Sequence, residues 1–308
     1  MTALYTHPSC LEHDNGAGHP ESPERLRAIL AELKKPDYAA LAWREAPPAS
    51  IEQIARVHER AYVEDVLRRV PKEGRVALDN ETVLSPASGE AALRAAGAVC
   101  AAVDEVIAGE VKNAFCAVRP PGHHAERAEA MGFCIFNNIA IGAAQALAAH
   151  GLRRVAILDF DVHHGNGTEE WAKGRRDVLF ISSHQYPLYP GSGSARDTGP
   201  FGNIVNIPLV PGADGAGFRA AMHDVALPRI DEFAPELILI SAGFDAHRLD
   251  PLAQLELEAA DFGWITGELS KLAARYAKGR VVATLEGGYD CEALAESAGA
   301  HVRALMAA

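Results

Sequence analysis

The stretch VAILDFDVHHGN, residues 155–166, decides how this chain folds. Its first four residues are apolar, as in a strand that is buried on both faces of a parallel sheet. Asp159, Asp161 and His163 therefore stand at the carboxyl end of that strand. Because alternate residues of an extended chain project to the same side, Asp161 and His163 can bind one ion together. Buried carboxylates are costly unless they are paired, hydrogen-bonded or metal-bound, so this stretch predicts a cation site.

The rest of the chain alternates short apolar runs with alanine-rich amphipathic segments. The apolar runs predict strands at 114–118, 155–159, 178–182, 204–207, 237–241 and 281–285. The amphipathic segments predict helices near 22–33, 88–108, 137–149, 214–230, 257–277 and 292–306. This alternation is typical of an α/β fold. We expect a single domain, residues 1–308, with three α/β/α layers and a mainly parallel central sheet.

Composition narrows the function classes. Apolar residues make up 48% of the 308 residues, and the formal net charge is −12. A charge of this sign argues against a general affinity for nucleic acid or for an anionic membrane. The five cysteines are scattered without a CxxC pair, which favours a reducing compartment. No secretory h-region and no apolar run of about 18 residues is present, so we expect a cytoplasmic protein.

Polar clusters follow four of the predicted strands. They are PPGHH (120–124), DFDVHH (159–164), GFD (243–245) and EGGY (286–289). In open parallel sheets, ligands bind at the carboxyl ends of the strands. We therefore expect the long loops after these strands to converge and to form an active site.

Asp245 is the best candidate for a third metal ligand beside Asp161 and His163. Two carboxylates and one imidazole, with a position left for water, make a catalytic rather than a structural ligand count. Oxygen-rich ligation also suits manganese or iron, so zinc is favoured and the other two metals stay open. The alternative for Asp245 alone is a carboxylate that caps a loop or a helix.

The double histidine and Tyr289 predict acid–base chemistry beside the metal. We expect His123 and His124 to contact the carboxylate of Asp159 and the amide of Asn166. A carboxylate raises the pKa of an imidazole, whereas an amide orients the ring without adding charge. This difference suits one histidine as a general base, and a phenol beside the metal is a good donor to an oxyanion. The alternatives are loop histidines in solvent and a tyrosine that only packs.

The remaining histidines and Cys134 carry weaker signals. His58, His150, His223 and His301 lie on helix-like segments, where we expect surface residues. Cys134 has no neighbour in the sequence that would activate its thiol, so a nucleophilic role is not favoured.

Together these motifs resemble the zinc-dependent histone deacetylase superfamily, which shares its fold with arginase. The resemblance rests on RPPGHHA (119–125), GFC (132–134), the stretch 159–166, SAGFD (241–245) and LEGGY (285–289). That superfamily includes bacterial deacetylase-like amidohydrolases and acetylpolyamine amidohydrolases. Asn166 and the Arg-Pro-Pro-Gly run are similar to its class II branch.

The resemblance implies one zinc ion on Asp161, His163 and Asp245. It implies His123 and His124 as the proton-transfer pair, with His124 as the general base, and Asp159 and Asn166 as their partners. Tyr289 would polarise the amide carbonyl of the substrate. Four further residues would bind the substrate in a narrow tunnel: Gly132, Phe133, Tyr189 and Leu252. Arg25 would lie near an exit for the acetate product.

The resemblance also implies one or two structural potassium ions. The first would be held by Asp159, Asp161, His163, Ser182 and Ser183, mostly through main-chain oxygens. A weaker match places a second ion among main-chain positions around Ala172, Arg175, Val178 and Asn203.

The predicted reaction is hydrolysis of an N-ε-acyl-lysine amide in a protein or peptide. Acetylpolyamine hydrolysis is the alternative. Such enzymes tend to carry an acidic residue near the tunnel mouth, where this chain has Leu252, so this position favours acyl-lysine. The acidic Glu256 and Glu258 nearby keep the alternative open. Arginase-like chemistry is disfavoured because Ala246-His247 follows Asp245, where a second carboxylate would be needed. An inactive scaffold is disfavoured because every candidate catalytic residue is present. A homo-oligomer is left open.

Overall fold

Eight parallel strands form the central sheet of the computed structural model, which describes residues 1–308. The structure has ten strands in all: β1 (Thr2–Thr6), β2 (Ala42–Glu45), β3 (Val76–Ala77), β4 (Val83–Leu84), β5 (Asn113–Cys116), β6 (Val155–Asp159), β7 (Val178–Gln185), β8 (Ile204–Leu209), β9 (Leu237–Ala242) and β10 (Val281–Leu285). The order across the sheet is β2-β1-β5-β10-β9-β6-β7-β8, and every pair in it is parallel. The short strands β3 and β4 pair separately and antiparallel.

Helices flank the sheet on both sides. They are α1 (Ser9–Glu12), α2 (Pro23–Leu33), α3 (Ile51–Ile54), α4 (Arg60–Arg69), α5 (Ser88–Ala108), α6 (Asn138–His150), α7 (Asn166–Lys173), α8 (Gly215–Ala221), α9 (Leu227–Phe233), α10 (Ala259–Tyr276) and α11 (Cys291–Ala307). Helices α5 and α6 pack together in one layer, and α2, α10 and α11 pack together in the other. The predicted α/β/α arrangement is confirmed. No helix combines the length and the apolar character that crossing a membrane would take.

The strands that carry the polar clusters are fully buried. Every residue of β5, β6, β9 and β10 is buried, as expected for strands covered on both faces. The edge strand β2 was not predicted, because its sequence AWRE alternates between half-buried and exposed residues and has no apolar run. The predicted helix 214–230 is a helical segment in which a π turn, Met222–Ala226, joins α8 to α9.

Two histidines predicted at the surface are buried, and that prediction was wrong. His58 accepts the main-chain N–H of Asn137 at 2.8 Å, and its other ring nitrogen contacts the carbonyl oxygen of Glu126 at 2.8 Å. His301 contacts the hydroxyl of Thr266 at 2.7 Å among phenylalanine rings of the core. Burial lowers the pKa of His58 to about 4 and that of His301 to about 3. His150 and His223 are exposed, as predicted.

Candidate active site

The four polar clusters meet because their strands are neighbours in the sheet. Strands β5, β10, β9 and β6 lie side by side in that order, although they come from distant parts of the chain. Their carboxyl ends therefore deliver residues 120–124, 286–289, 243–245 and 159–166 to one edge. The predicted convergence of these loops is confirmed.

Asp161, His163 and Asp245 form a compact group of potential metal ligands at this edge. Their ligand atoms all lie within 4.8 Å of one another, and all three residues are buried. His163 Nδ1 lies 3.1 Å from Asp161 Oδ1 and 3.1 Å from Asp245 Oδ2. Glycines make the approach possible, because a Cβ on Gly243 would overlap the Asp161 carboxylate and one on Gly287 would overlap both carboxylates.

The electrostatics of this group fit a cation. No lysine or arginine forms an ion pair with Asp161 or Asp245. Burial, and then the nearby Asp161, raises the pKa of Asp245 to about 6. Burial alone would lower the pKa of His163, but its two carboxylate neighbours raise that pKa to about 10. Two buried carboxylates thus share one imidazole, which is a donor set with an unmet need for positive charge.

The two adjacent histidines have the partners that the sequence predicted. His123 Nδ1 lies 2.9 Å from Asp159 Oδ2, and His124 Nδ1 lies 2.8 Å from Asn166 Oδ1. Burial opposes protonation of His123, but the carboxylates of Asp159 and Asp161 outweigh it and raise its pKa well above the usual value. Burial, followed by the neighbouring His123 and His163, lowers the pKa of His124 well below the usual value. The pair therefore contains one imidazole that favours the charged form and one that favours the neutral form.

The orientation of the Asn166 amide fixes the tautomer of His124. Asn166 Nδ2 donates to the carboxylate of Glu126 at 2.7 Å, and a carboxylate only accepts. The amide oxygen of Asn166 therefore faces His124 and accepts its Nδ1–H. The second ring nitrogen of His124, Nε2, is left with a lone pair that can take a proton.

Glu286 belongs to one of the predicted polar clusters, but the sequence did not reveal its contacts. Its Oε2 accepts the main-chain N–H of Gly122 at 2.6 Å and of His123 at 3.1 Å, so it holds the turn that presents the histidine pair. Glu286, His123 and Cys134 also lie close enough to form a second potential metal group. Burial raises the pKa of the Cys134 thiol well above its usual value, so this sulfur is a poor ligand and a poor nucleophile. The position of Glu286 directly after β10 was the available sequence signal.

A cavity of about 230 Å³ reaches His163 of the metal-ligand group. Its walls are formed by Pro20, Glu81, His124, Gly132, Phe133, His163, Leu188, Tyr189, Leu252 and Tyr289. The ring of Tyr189 stands edge-on to that of His124 with centroids 5.2 Å apart, and Phe133 stands similarly to Tyr289 at 6.0 Å. Gly132, Phe133, Tyr189 and Leu252 were all predicted here. Glu256 and Glu258 do not line this cavity, whereas Glu81, which was not predicted, does.

A tight turn sets the position of Gly132 and Phe133 in the cavity wall. Both residues have positive φ, +56° and +69°, and the N–H of Cys134 donates to the carbonyl oxygen of Met131 at 2.9 Å. Positive φ is strained for a bulky residue such as phenylalanine and persists only where the surroundings hold it. The hydroxyl of Thr82 accepts the N–H of Phe133 at 3.2 Å, which helps to hold Phe133 in this conformation.

Tyr289 is fixed from two sides. Asp250 Oδ2 accepts its main-chain N–H at 2.7 Å, and the guanidinium of Arg25 lies 4.8 Å from the centre of its ring. Arg25 is fully buried and also donates to the carbonyl oxygens of Glu286 and Gly288, so it braces the loop that carries Tyr289. Burial raises the pKa of the Tyr289 phenol well above its usual value. This phenol keeps its proton and stays a hydrogen-bond donor.

The residues predicted for a first potassium ion lie together beneath the ligand group. Asp159, Asp161, Ser182 and Ser183 are buried, and the Ser183 hydroxyl lies 3.5 Å from the carbonyl oxygen of Asp159. The main-chain oxygens of Asp161 and His163 accept no hydrogen bond within the chain. Buried oxygens without donors suit a hard cation.

The positions predicted for a second potassium ion differ from the first, because their carbonyl oxygens already have a hydrogen-bond donor within the protein. Asn203 Nδ2 donates to the main-chain oxygens of Ala172, Arg175 and Val178, at 2.9, 2.9 and 3.0 Å. A nitrogen therefore stands at the point where these three oxygens meet.

Comparison with known proteins shows the family of this chain. The family model of the histone deacetylase domain matches residues 19–305. This chain belongs to the histone deacetylase family. It is 43% identical over 278 residues to a histone deacetylase-like amidohydrolase of Pseudomonas aeruginosa, a match that covers 89% of this chain and 73% of that protein. It is 41% identical over 301 residues to an uncharacterized protein of Synechocystis, with 96% and 97% covered.

A solved structure of the histone deacetylase family has the same fold. The crystal structure of the HDA15 HD domain superposes with a TM-score of 0.93 at 35% identity, covering 99% of this chain and 88% of that one. The histone deacetylase family implies a metal ion, typically zinc, and the donor set of Asp161, His163 and Asp245 fits such an ion.

Proposed function

We propose that this protein hydrolyses the amide bond of N-ε-acyl-lysine with one zinc ion held by Asp161, His163 and Asp245. The observation that carries the proposal is the cavity of about 230 Å³, which has aromatic walls and is lined by His163, one of the three proposed ligands. A thin, uncharged methylene chain fits such a passage, and the carbonyl group at its end would reach the metal. The names of the family and of its relatives support an amidohydrolase.

A zinc ion in this site would supply Lewis acidity, polarising the substrate carbonyl and acidifying water. The protein groups do the rest. His124 is the general base, because its pKa is lowered and its Nε2 is free to accept a proton. His123, which favours the charged form beside Asp159, stabilises negative charge and can supply a proton to the departing amine.

Tyr289 is the proposed donor to the carbonyl oxygen of the substrate as negative charge develops there. Its raised pKa keeps the phenol protonated, and its main chain is held by Asp250. We propose that the carbonyl of Gly132 accepts the substrate N–H and that Phe133, Tyr189 and Leu252 enclose the methylene chain.

Two predicted roles outside the cavity remain part of this proposal. Arg25 would attract the carboxylate product from behind Tyr289, although its guanidinium already braces that loop. One structural potassium ion would be held beneath the zinc ligands by Asp159, Asp161, His163, Ser182 and Ser183. The carbonyl oxygens of Asp161 and His163, which have no donor within the chain, support this ion.

A carboxylate in the cavity wall makes acetylpolyamine hydrolysis a second candidate. Glu81 lines the cavity as its only carboxylate, and it is exposed. Asp79 Oδ1 accepts the N–H of Glu81 at 2.8 Å, which fixes the turn that carries this charge. A carboxylate there would attract the second amine of an acetylated polyamine. It would equally attract a basic residue next to an acyl-lysine, so the charge alone does not choose between the two.

The test is a side-by-side assay of the zinc-loaded protein with an acetyl-lysine peptide and with N-acetylputrescine. We expect the peptide to be turned over with the higher kcat/KM, and a chelator to abolish the activity until zinc is restored. A strong preference for N-acetylputrescine would replace the first proposal by the second. Failure to hydrolyse either substrate with zinc bound would refute both.

The metal assignment is tested by counting zinc in two aspartate variants. Asp245→Asn removes a proposed ligand and should lose both zinc and turnover. Asp197→Asn is the matched control, because Asp197 pairs with Lys173 at the surface, far from the cavity. Full zinc content in Asp245→Asn would contradict the ligand set.

A further inference from the structure

Three main-chain carbonyl oxygens converge on one side chain where the α7–β7 connection meets the start of β8. They belong to Ala172, Arg175 and Val178, and Asn203 Nδ2 lies 2.9, 2.9 and 3.0 Å from them. Asn203 is only 5% exposed, so its side chain is shielded from water. Oxygens that meet in this way repel one another unless positive charge stands between them.

We propose that the carboxamide of Asn203 takes the place of a second potassium ion in this protein. Its nitrogen stands at the centre of the three oxygens, so an ion cannot contact all of them while the amide is there. The two N–H bonds of the amide supply the partial positive charge that a monovalent cation would otherwise bring. This inference concerns the stability of the fold and does not rest on the proposed substrate.

The fourth oxygen that was predicted to line this ion is also satisfied within the protein. The main-chain carbonyl of Asn203 accepts the N–H of Phe180 at 2.9 Å as part of the sheet. The first potassium position differs, because the carbonyl oxygens of Asp161 and His163 have no donor. One cage is therefore closed by a side chain, and the other is left for an ion.

The orientation of the Asn203 amide decides whether the three carbonyl oxygens need a cation. Asn203 Oδ1 has no hydrogen-bond partner, which is a cost that the two N–H donors of Nδ2, shared among the three carbonyl oxygens, offset. The reverse orientation would place Oδ1 against three carbonyl oxygens, and only a cation among the four could hold them. The amide and the ion are thus alternatives at one point.

The experiment removes the amide and offers potassium in its place. Asn203→Ala and the wild type are dialysed to equilibrium against potassium chloride, and bound potassium is counted per chain. Thermal unfolding is then compared in potassium chloride and in choline chloride of equal ionic strength. We expect Asn203→Ala to bind one more potassium than the wild type, since any ion at the first position cancels in the difference. We also expect its Tm to fall by several degrees in choline and to recover in potassium.

Asn206→Ala is the matched control, because Asn206 lies three residues further along the chain, in β8. Asn206 is 6% exposed, and its Nδ2 donates to the carboxylate of Glu169 at 2.7 Å rather than to a ring of carbonyls. Its loss should lower the Tm without any recovery specific to potassium.

Equal potassium counts in the wild type and Asn203→Ala would overturn the proposal, as would equal recovery of Asn206→Ala. If Asn203→Ala does not fold, Asn203→Asp takes its place. Its carboxylate would face the same three oxygens, so its folding should require potassium. A Tm of Asn203→Asp that is the same in potassium and in choline would equally refute the substitution of amide for ion.

Discussion

Replacing Asp250 by asparagine should slow catalysis by more than its effect on the fold would suggest. Asp250 is 7% exposed, and both of its carboxylate oxygens are used. Oδ2 accepts the N–H of Tyr289 at 2.7 Å, and Oδ1 accepts the N–H of Leu252 at 2.9 Å. One carboxylate thus ties the proposed oxyanion donor to the wall of the cavity. Asparagine offers one acceptor oxygen, so in Asp250→Asn an NH₂ group must face one of the two N–H groups.

The size of the effect follows from that unpaired group. A buried N–H without a partner costs about 1–3 kcal/mol. If the loop of Tyr289 moves to relieve this cost, the same energy is lost from transition-state stabilisation, and kcat/KM falls about 5- to 150-fold. Because the loop movement removes part of this cost from the folded state, the stability loss should stay below about 1–3 kcal/mol, and the Tm should fall by at most a few degrees in a chain of this size.

The assay is steady-state turnover of an acetyl-lysine peptide, with zinc content and Tm measured on the same samples. Asp214→Ala is the control, because Asp214 caps α8 by accepting the N–H of Gly217 at 2.9 Å, away from the cavity. It should cost about 1 kcal/mol of stability without changing kcat/KM. In a Tyr289→Phe background, Asp250→Asn should cost little further activity, because the phenol that it positions is gone. Full kcat/KM in Asp250→Asn, with a Tm lowered as in Asp214→Ala, would refute this reasoning.

Three more outcomes are expected. Tyr289→Phe should lower kcat about 10²–10³-fold while zinc content and Tm stay unchanged, and an unaltered kcat would contradict the role of the phenol. Asn166→Asp places a carboxylate on Nδ1 of His124 and should raise the pKa of that imidazole by about 1–3 units. Because His124 must be neutral to accept a proton, the acid limb of the kcat/KM profile should move to higher pH; a stationary limb would argue against His124 as the base. Gly97→Ala and Gly267→Ala each add a Cβ in the interior of a helix. At Gly97 this Cβ would overlap a main-chain carbonyl, whereas at Gly267 it would meet nothing within 4 Å. The first should lower the Tm and the second should raise stability by about 1 kcal/mol, so equal Tm values would contradict the packing around Gly97.

The sheet was predictable where burial makes a strand one continuous apolar run, but the buried strand β1, with the sequence TALYT, has no such run and was not predicted. The strands β6, β9 and β10 are continuous apolar runs, since both of their faces are covered, and the prediction of each strand is confirmed. The edge strand β2 was not predictable in this way, because an edge needs no apolar run. The buried positions of His58 and His301 were also missed, because a single histidine in a helical pattern does not reveal which distant residues pack against it.

The metal-ligand group was partly local and therefore visible in the sequence. Asp161 and His163 are two residues apart on extended chain after a buried strand, which by itself points to one ion. Asp245 could be added because it follows another buried strand. The partners that hold the site were not visible. Glu286 and the histidine pair that it positions are more than 150 residues apart, and so are Arg25 and the Tyr289 loop.

The sequence by itself determined the class of fold, the residues able to bind a metal and the pair of histidines beside them. These properties follow from apolar runs and from donor atoms at short spacing, both of which are local. Only the tertiary structure decided that β5, β10, β9 and β6 are neighbours, that Glu81 rather than Glu256 or Glu258 lines the cavity, and that Asn203 fills a cage of carbonyl oxygens. These facts depend on contacts between segments far apart in the chain, which packing of the whole core selects and which no single stretch of sequence encodes.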